Sequence, residues 1–212
     1  VSMVGPSGCG KTTVLKILAG LNSHEEGSVR IGSEADKFDP ARDIGMVFQQ
    51  PLLLKWRNVL DNVLLPAEIL GLNMAEARDR AGHLLDMVGL SGFAESYPYE
   101  LSGGMQQRAA IARALVHDPK LILMDEPFGA LDALTREKMN LELLRIWGES
   151  GKTIVFVTHG IQEAVFLGSR VVVLTAGPAR MADNFLVELP YPRTLDMKTQ
   201  ESFGDYTRRI YK

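Results

Sequence analysis

The chain has 212 residues, 46% hydrophobic and 23% charged, a composition that fits one folded domain or at most two small ones. It excludes a disordered tail, a collagen-like rod and a disulfide-stapled miniprotein. Lys+Arg number 23 against Asp+Glu 26, a net charge of −3 with no basic excess for a nucleic-acid backbone, and the single cysteine, Cys9, fits a reducing compartment.

In chain order, Val1-Ser2-Met3-Val4 is an apolar stretch running into a glycine-rich loop. Strands that feed such loops sit inside a sheet with partners on both sides, so further N-terminal strands are expected to precede residue 1. Val14, Leu15, Ile17 and Leu18 share one helical face, and Gly20 is placed to end that helix. Ser28-Val29-Arg30-Ile31 alternates like a half-exposed strand, and Ile44-Gly45-Met46-Val47-Phe48 reads as a short apolar strand. Residues 56–117 are helical in character. Asn73 and Glu76 form a capping-box pattern opening a helix that runs to Val88, with Gly89 past its end, and Ser102 caps a helix over 105–116. Leu121-Ile122-Leu123-Met124 and Thr153-Ile154-Val155-Phe156-Val157 are continuous apolar runs, the pattern of strands covered on both faces. Asp132 caps a helix to about Trp147, and Arg170-Val171-Val172-Val173-Leu174 is a last strand. After Gly177-Pro178 the pattern weakens, and the tail is expected to be peripheral.

No run of about 18 apolar residues and no signal-peptide pattern occurs in the sequence. The expected fold is α/β, a mostly parallel sheet flanked by helices with a helical insert. The expected division is residues 1–55 and 118–185 as core, 56–117 as helical subdomain and 186–212 as tail.

Gly5-Pro6-Ser7-Gly8-Cys9-Gly10-Lys11-Thr12-Thr13 fits G-x-x-x-x-G-K-[ST]. Glycines let successive backbone N–H groups turn inward on a phosphate, and the helix behind the loop adds its positive end. Lys11 reaches the β- and γ-phosphates, and the Thr12 hydroxyl can ligate Mg²⁺. Cys9 fills a small-residue slot, or is a thiol whose alkylation blocks nucleotide binding. Asp125 and Glu126 end a buried strand, where ligands of open α/β sheets bind. Asp125 is the candidate for holding Mg²⁺ and Glu126 for orienting and deprotonating a water. Leu101-Ser102-Gly103-Gly104-Met105-Gln106-Gln107 joins a serine cap, two glycines and a helix N-terminus into a second possible anion-binding device.

Together these residues resemble the ATP-binding subunit of an ABC transporter, over residues 1 to about 185. The loop at residues 5–13 is similar to the family's Walker A, Asp125-Glu126 to the end of its Walker B, and Leu101 to Gln107 to its signature. Gln49 matches the Q-loop glutamine, Ala130-Leu131-Asp132 the D-loop, and His159 the switch histidine. The stretches 54–63, 126–136 and 192–196 resemble the nitrate/sulfonate/taurine importer branch.

The resemblance implies ATP and Mg²⁺ as cofactors and a P-loop ATPase that pairs with a second copy head to tail, so that Walker A of one faces the signature of the other. It implies Lys11, Ser102 and Mg²⁺ on the transferring phosphoryl group, Glu126 as base, and His159 holding the γ-phosphate. Gln49 would touch metal and water, and Asp132 would communicate across the dimer. The implied partners are transmembrane permease subunits and, indirectly, a periplasmic solute-binding protein, with the subunit peripheral on the cytoplasmic side of the membrane.

The sequence departs from the family pattern in having Gly160 after the switch histidine, Met105 within the signature, and no upstream aromatic to stack on adenine. The apolar stretch Leu52-Leu53-Leu54-Lys55-Trp56 either fills the core of the helical insert or receives a helix of the membrane subunit. The alternatives from other classes are a chromosome-maintenance or DNA-repair ATPase and an inactive nucleotide-binding fragment. Against the former, the stretch from Gln49 to Leu101 has no room for a coiled-coil arm and no sustained heptads.

Overall fold

A computed structural model describes residues 1–32, 38–129 and 131–211. Ser2–Val4 (β1) leads through the glycine-rich loop to Lys11–Leu18 (α1), and Pro40–Asp43 (α2) precedes Ile44–Val47 (β2). Val59–Ile69 (α3), Met74–Met87 (α4) and Gly103–Leu115 (α5) come next, with two 3-10 turns between the last pair. Leu121–Asp125 (β3), Ala133–Ser150 (α6), Thr153–Thr158 (β4), Ile161–Leu167 (α7) and Arg170–Leu174 (β5) then alternate. Met181–Leu186 (β6) and Glu201–Ile210 (α8) finish the chain.

The six strands form one sheet in the order β2-β3-β4-β1-β5-β6, parallel except for β6, which runs antiparallel to β5. β1 therefore has a partner on each side, as its apolar sequence predicts. All five residues of β3 are buried. Ile122 and Met124 pack with the helices of the insert and with Met139, Leu143 and Ile146 of α6, while Leu121 and Leu123 pack with Leu15 of α1 and Ile44. Burial on both faces is why β3 reads as a continuous apolar run. α5 lies so close to β2 that a Cβ on Gly45 would sit 2.1 Å from the Ala114 carbonyl oxygen, an approach only glycine permits.

Local signals place most helix ends. The Asn58, Asn73, Ser102 and Asp132 side chains each accept a backbone N–H in the first turn of their helix. Gly20, Gly89 and Gly151 come after their helices with positive φ, so α6 runs three residues beyond Trp147 to Ser150. The Asn73–Glu76 pair is not a reciprocal capping box. The Glu76 carboxylate accepts from the Asn73 side-chain amide at 2.8 Å, while the Asn73 side-chain oxygen takes the Ala75 N–H at 3.0 Å.

Two expectations need correction. Residues 28–31 form no strand, because among the described residues nothing pairs with them, and alternation without a ladder partner leaves the backbone irregular. The tail, expected to be peripheral, is an integral layer. β6 and Phe185 fall in the stretch read as core and extend the sheet, and from the tail itself Val187, Leu189 and Phe203 join the cluster around Val4, Val171 and α7. Arg193 is 3% exposed, and its guanidinium donates to the carbonyls of Val165, Phe166, Gly168, Val187 and Leu189. Its signal was lost because these partners lie 4 to 28 residues away and include no side-chain carboxylate.

Candidate functional site

The sheet order brings the chemistry together. β2, β3, β4 and β1 are consecutive parallel neighbours, so the loops leaving their C-terminal ends emerge along one edge. Those loops carry Gln49, the Asp125-Glu126 pair, His159 and the glycine-rich turn.

In the glycine-rich loop Gly8 and Gly10 take φ of +77° and +110°, which an L side chain rarely adopts, and nothing lies within 4 Å of a Cβ built on either. The first intrahelical bond of α1 runs from Val14 N–H to Gly10 C=O at 3.0 Å. The N–H groups of Lys11, Thr12 and Thr13 thus have no intrahelical acceptor and stand at the positive end of the helix. Lys11 is 4% exposed and donates to the carbonyls of Gly5 and Pro6 at 2.8 and 2.9 Å, so its ammonium is folded over the loop. Ser7 is exposed on the loop, and the buried Cys9 thiol packs beneath it, in line with the small-residue reading.

Thr12 Oγ1 donates to Asp125 Oδ1 at 3.0 Å. Burial pushes the Asp125 carboxyl above its ordinary pKa, as does neighbouring Glu126, against the lowering pull of the Thr12 hydroxyl and of Lys11. Glu126 has φ of 42°, strained for a residue with a Cβ. Its N–H donates to Val157 O at 2.9 Å, and its carbonyl accepts from Gly129 N–H at 3.0 Å. Its carboxylate lies 3.7 Å from Lys11 Nζ and 2.9 Å from His159 Nδ1. The exposed Gln49 side chain borders the same turn, since a Cβ on Gly129 would meet Gln49 Nε2 at 3.3 Å. Sequence reading missed Arg136, whose guanidinium donates to the carbonyls of Phe128, Gly129 and Leu131 and fixes that turn. The clamp reaches only five to eight residues back, but a side chain bonded to carbonyls leaves no residue-type motif.

The structure does not bring the remaining residues to this group. Ser102 is exposed and its hydroxyl oxygen accepts from Met105 N–H at 3.3 Å, with Gly103 and Gly104 in the first turn of α5. Asp132 is exposed and caps α6; hydrogen bonds from Thr135 hold its carboxyl below the usual range. Ala130 lies outside the described residues. The apolar stretch after the Q-loop divides between its two readings. Leu53 packs on the core, whereas Leu52 and Trp56 are 55% and 75% exposed. Leu52 borders a groove of about 420 Å³ with Phe48, Ile69 and Arg113.

A curled loop with free N–H donors, a lysine, a hydroxyl beside a carboxylate, and a glutamate held by a histidine define a P-loop nucleoside triphosphatase. The residues present fit ATP with a divalent cation. The Thr12 hydroxyl and the Asp125 carboxylate are oxygen donors of the kind a hard divalent cation takes.

The ABC transporter family profile matches residues 1–129. An uncharacterized ABC transporter ATP-binding protein of Methanocaldococcus jannaschii is 49% identical over 210 residues, 99% of this chain and 77% of that protein. The aliphatic sulfonates import ATP-binding protein SsuB of Bacillus cereus is 44% identical over 99% of this chain and 81% of its own length. The taurine import ATP-binding protein TauB of Ruegeria pomeroyi is 48% identical over 90% and 70%. Among solved structures, a dimeric bacterial ABC transporter cassette superposes with a TM-score of 0.73 at 39% identity, covering 89% of this chain and 85% of that one. A dimeric post-hydrolysis state bound to ADP and Pi gives a TM-score of 0.69 at 39% identity, covering 87% and 85%. The chain belongs to the ABC transporter family. It is the ATP-binding subunit, an ABC-type ATPase.

Proposed function

We propose that this subunit powers import of a small sulfonate- or taurine-like solute, working as a head-to-tail pair of cassettes. The reading is carried by one observation: Lys11 and His159 both address the carboxylate of Glu126 beside a Thr12–Asp125 pair, at the mouth of an open phosphate loop. The branch is supported by the likeness to SsuB and TauB.

In the proposed chemistry ATP phosphates take the place of the loop carbonyls on Lys11 and accept the free N–H groups of α1. Water attacks the γ-phosphorus, its proton passes to Glu126, and the bond to the β-phosphate oxygen breaks. His159 steadies Glu126 and then the γ-phosphate. Thr12, Asp125 and Gln49 would hold Mg²⁺, which neutralises phosphate charge. Ser102 and Gly103 are exposed and Gly104 is half-buried beside them in the first turn of α5, which supports their use on the nucleotide of the second copy. Asp132 then lies at the pair's interface. ATP closes the pair because its γ-phosphate binds the closed state better.

Among the described residues no helix is long and apolar enough to cross a membrane. The likeness to import ATP-binding proteins supports a place at the cytoplasmic face of the membrane, with the groove by Leu52 and Ile69 and the exposed Trp56 receiving the permease, and a periplasmic solute-binding protein acting across the bilayer. The division into core, helical insert and tail is proposed with two amendments: the tail packs on the core through Val187, Leu189 and Phe203, and α5 shares the cluster of Ile122, Met124 and Phe156 and so belongs to core and insert alike.

Glu126→Gln tests the reading. Turnover should fall by about 10²–10⁴-fold while ATP still binds and drives the subunit from monomer to locked dimer. A variant that hydrolyses at the wild-type rate, or stays monomeric under saturating ATP, overturns it.

A further inference from the structure

We propose that Glu163 is a positioning residue for the switch histidine, acting through Thr158, on the reading of Glu126 and His159 given above. His159 sits on the two-residue turn between β4 and α7, and Gly160, the N-cap of α7, gives that helix no side-chain cap. Something else must fix the turn. Thr158 is 2% exposed, and its hydroxyl oxygen accepts the Gly160 N–H at 2.9 Å while donating its proton to a Glu163 carboxylate oxygen. The residues on both sides of His159 are thereby tied to one side chain of α7. A hydroxyl has one proton, so its donation to Glu163 leaves a lone pair aimed at the Gly160 N–H. The closure is tight: a Cβ on Gly160 would lie 3.3 Å from both Thr158 Oγ1 and Glu163 Cβ.

Thr158 is the anchor of the Glu163 carboxyl. Among the described residues its second oxygen is buried without a hydrogen-bond partner, and desolvation raises its pKa against the opposing pull of the Thr158 hydroxyl and of Arg136 and His159. A buried carboxylate with one oxygen unpaired is a poor stabilising device. Its place explains it. Glu163 borders a cavity of about 350 Å³ that Glu126, His159 and Arg136 also line. Arg136 fixes the turn after Glu126, and Glu163 fixes the turn that carries His159, so the 2.9 Å contact between them is held from both loops.

The test uses the full-length subunit. Glu163→Ala and Thr158→Val should each lower kcat about 10- to 100-fold with KM for ATP within about threefold, the cost of a misplaced reacting group. The double variant should be no slower than the slower single one, because both cut the same link. Glu163→Gln, whose amide oxygen still accepts the Thr158 proton, should keep turnover within about threefold and melt no lower than wild type. Independently of turnover, the His159 ring resonances should respond to Glu126→Gln in wild type and lose that response in the Glu163→Ala background. Wild-type kcat in Glu163→Ala, additive losses in the double variant, or a ring response that survives Glu163→Ala overturns the proposal. If His159→Ala hydrolyses normally, the reading of the site fails instead, and the ring response still decides whether Glu163 positions the histidine.

Discussion

Replacing Arg193 tests whether the tail holds the catalytic layer together. The last-turn carbonyls of a helix have no intrahelical donor, and at the end of α7 Arg193 supplies it, donating to Val165, Phe166 and Gly168 at 2.7, 2.9 and 2.9 Å. Two longer bonds reach Val187 and Leu189 at 3.3 and 3.4 Å. The guanidinium stacks 4.2 Å from the Tyr191 ring centroid, and its Nε is buried without a partner among the described residues. Burial lowers its pKa, a sign that the cation is costly to keep there. Truncation to alanine strands three close carbonyls, each costing about 1–3 kcal/mol, and recovers the several kcal/mol spent desolvating the cation. The net loss is about 3 kcal/mol. With an unfolding entropy of about 2.1 cal/mol/K per residue, a chain of 212 residues loses about 7 °C in Tm for that amount. Arg193→Met separates the causes. Deleting a buried ion pair can be neutral because both charges vanish, but here the acceptors are backbone and cannot be deleted, so methionine should also lose stability. Urea unfolding of both variants at constant m-value is the assay. Arg193→Met as stable as wild type would refute the argument, because desolvation would then have cancelled the carbonyl bonds.

Asp125→Asn should raise the Tm of the nucleotide-free subunit at neutral pH while weakening ATP binding in the presence of Mg²⁺. A carboxyl whose pKa is raised in the fold contributes stability at low pH that is lost as pH rises through the folded value, and the amide removes that loss; an unchanged pH dependence of Tm counts against it. Trp56→Ala, at 75% exposure, should move stability by less than about 0.5 kcal/mol yet weaken co-purification with the membrane subunits; undiminished assembly and transport would remove the docking role. Gly45→Ala places a methyl 2.1 Å from the Ala114 carbonyl oxygen and should cost about 1–3 kcal/mol, read as a Tm lowered by several degrees. An unaltered melt would show that α5 moves freely off β2.

The features that the sequence determined by itself were local. Gly8 and Gly10 are written into the loop because their positive φ is a property of single residues. Asn58, Asn73, Ser102 and Asp132 cap helices through bonds that span only two or three residues. β3 announced its burial on both faces by having no polar alternation before Asp125. The identities of Lys11, Gln49, Asp125, Glu126 and His159 were legible for the same reason, since each lies in a short motif. Their convergence was not. It depends on β1 entering between β4 and β5, which no spacing along the chain encodes. Residues 28–31 carried a strand pattern that found no partner among the described residues, and the tail carried weak patterns that folded firmly because Arg193 found carbonyls at the end of α7 as well as in its own stretch. Arg136 and Glu163 act on groups only five to eight residues away, yet the Glu126–His159 contact that their bonds support exists only once β3 and β4 lie side by side. Backbone preferences and caps are short-range energies, fixed by neighbours in sequence. Adjacency of strand ends and the burial of a cation are settled by packing over the whole chain, and only the tertiary structure decides them.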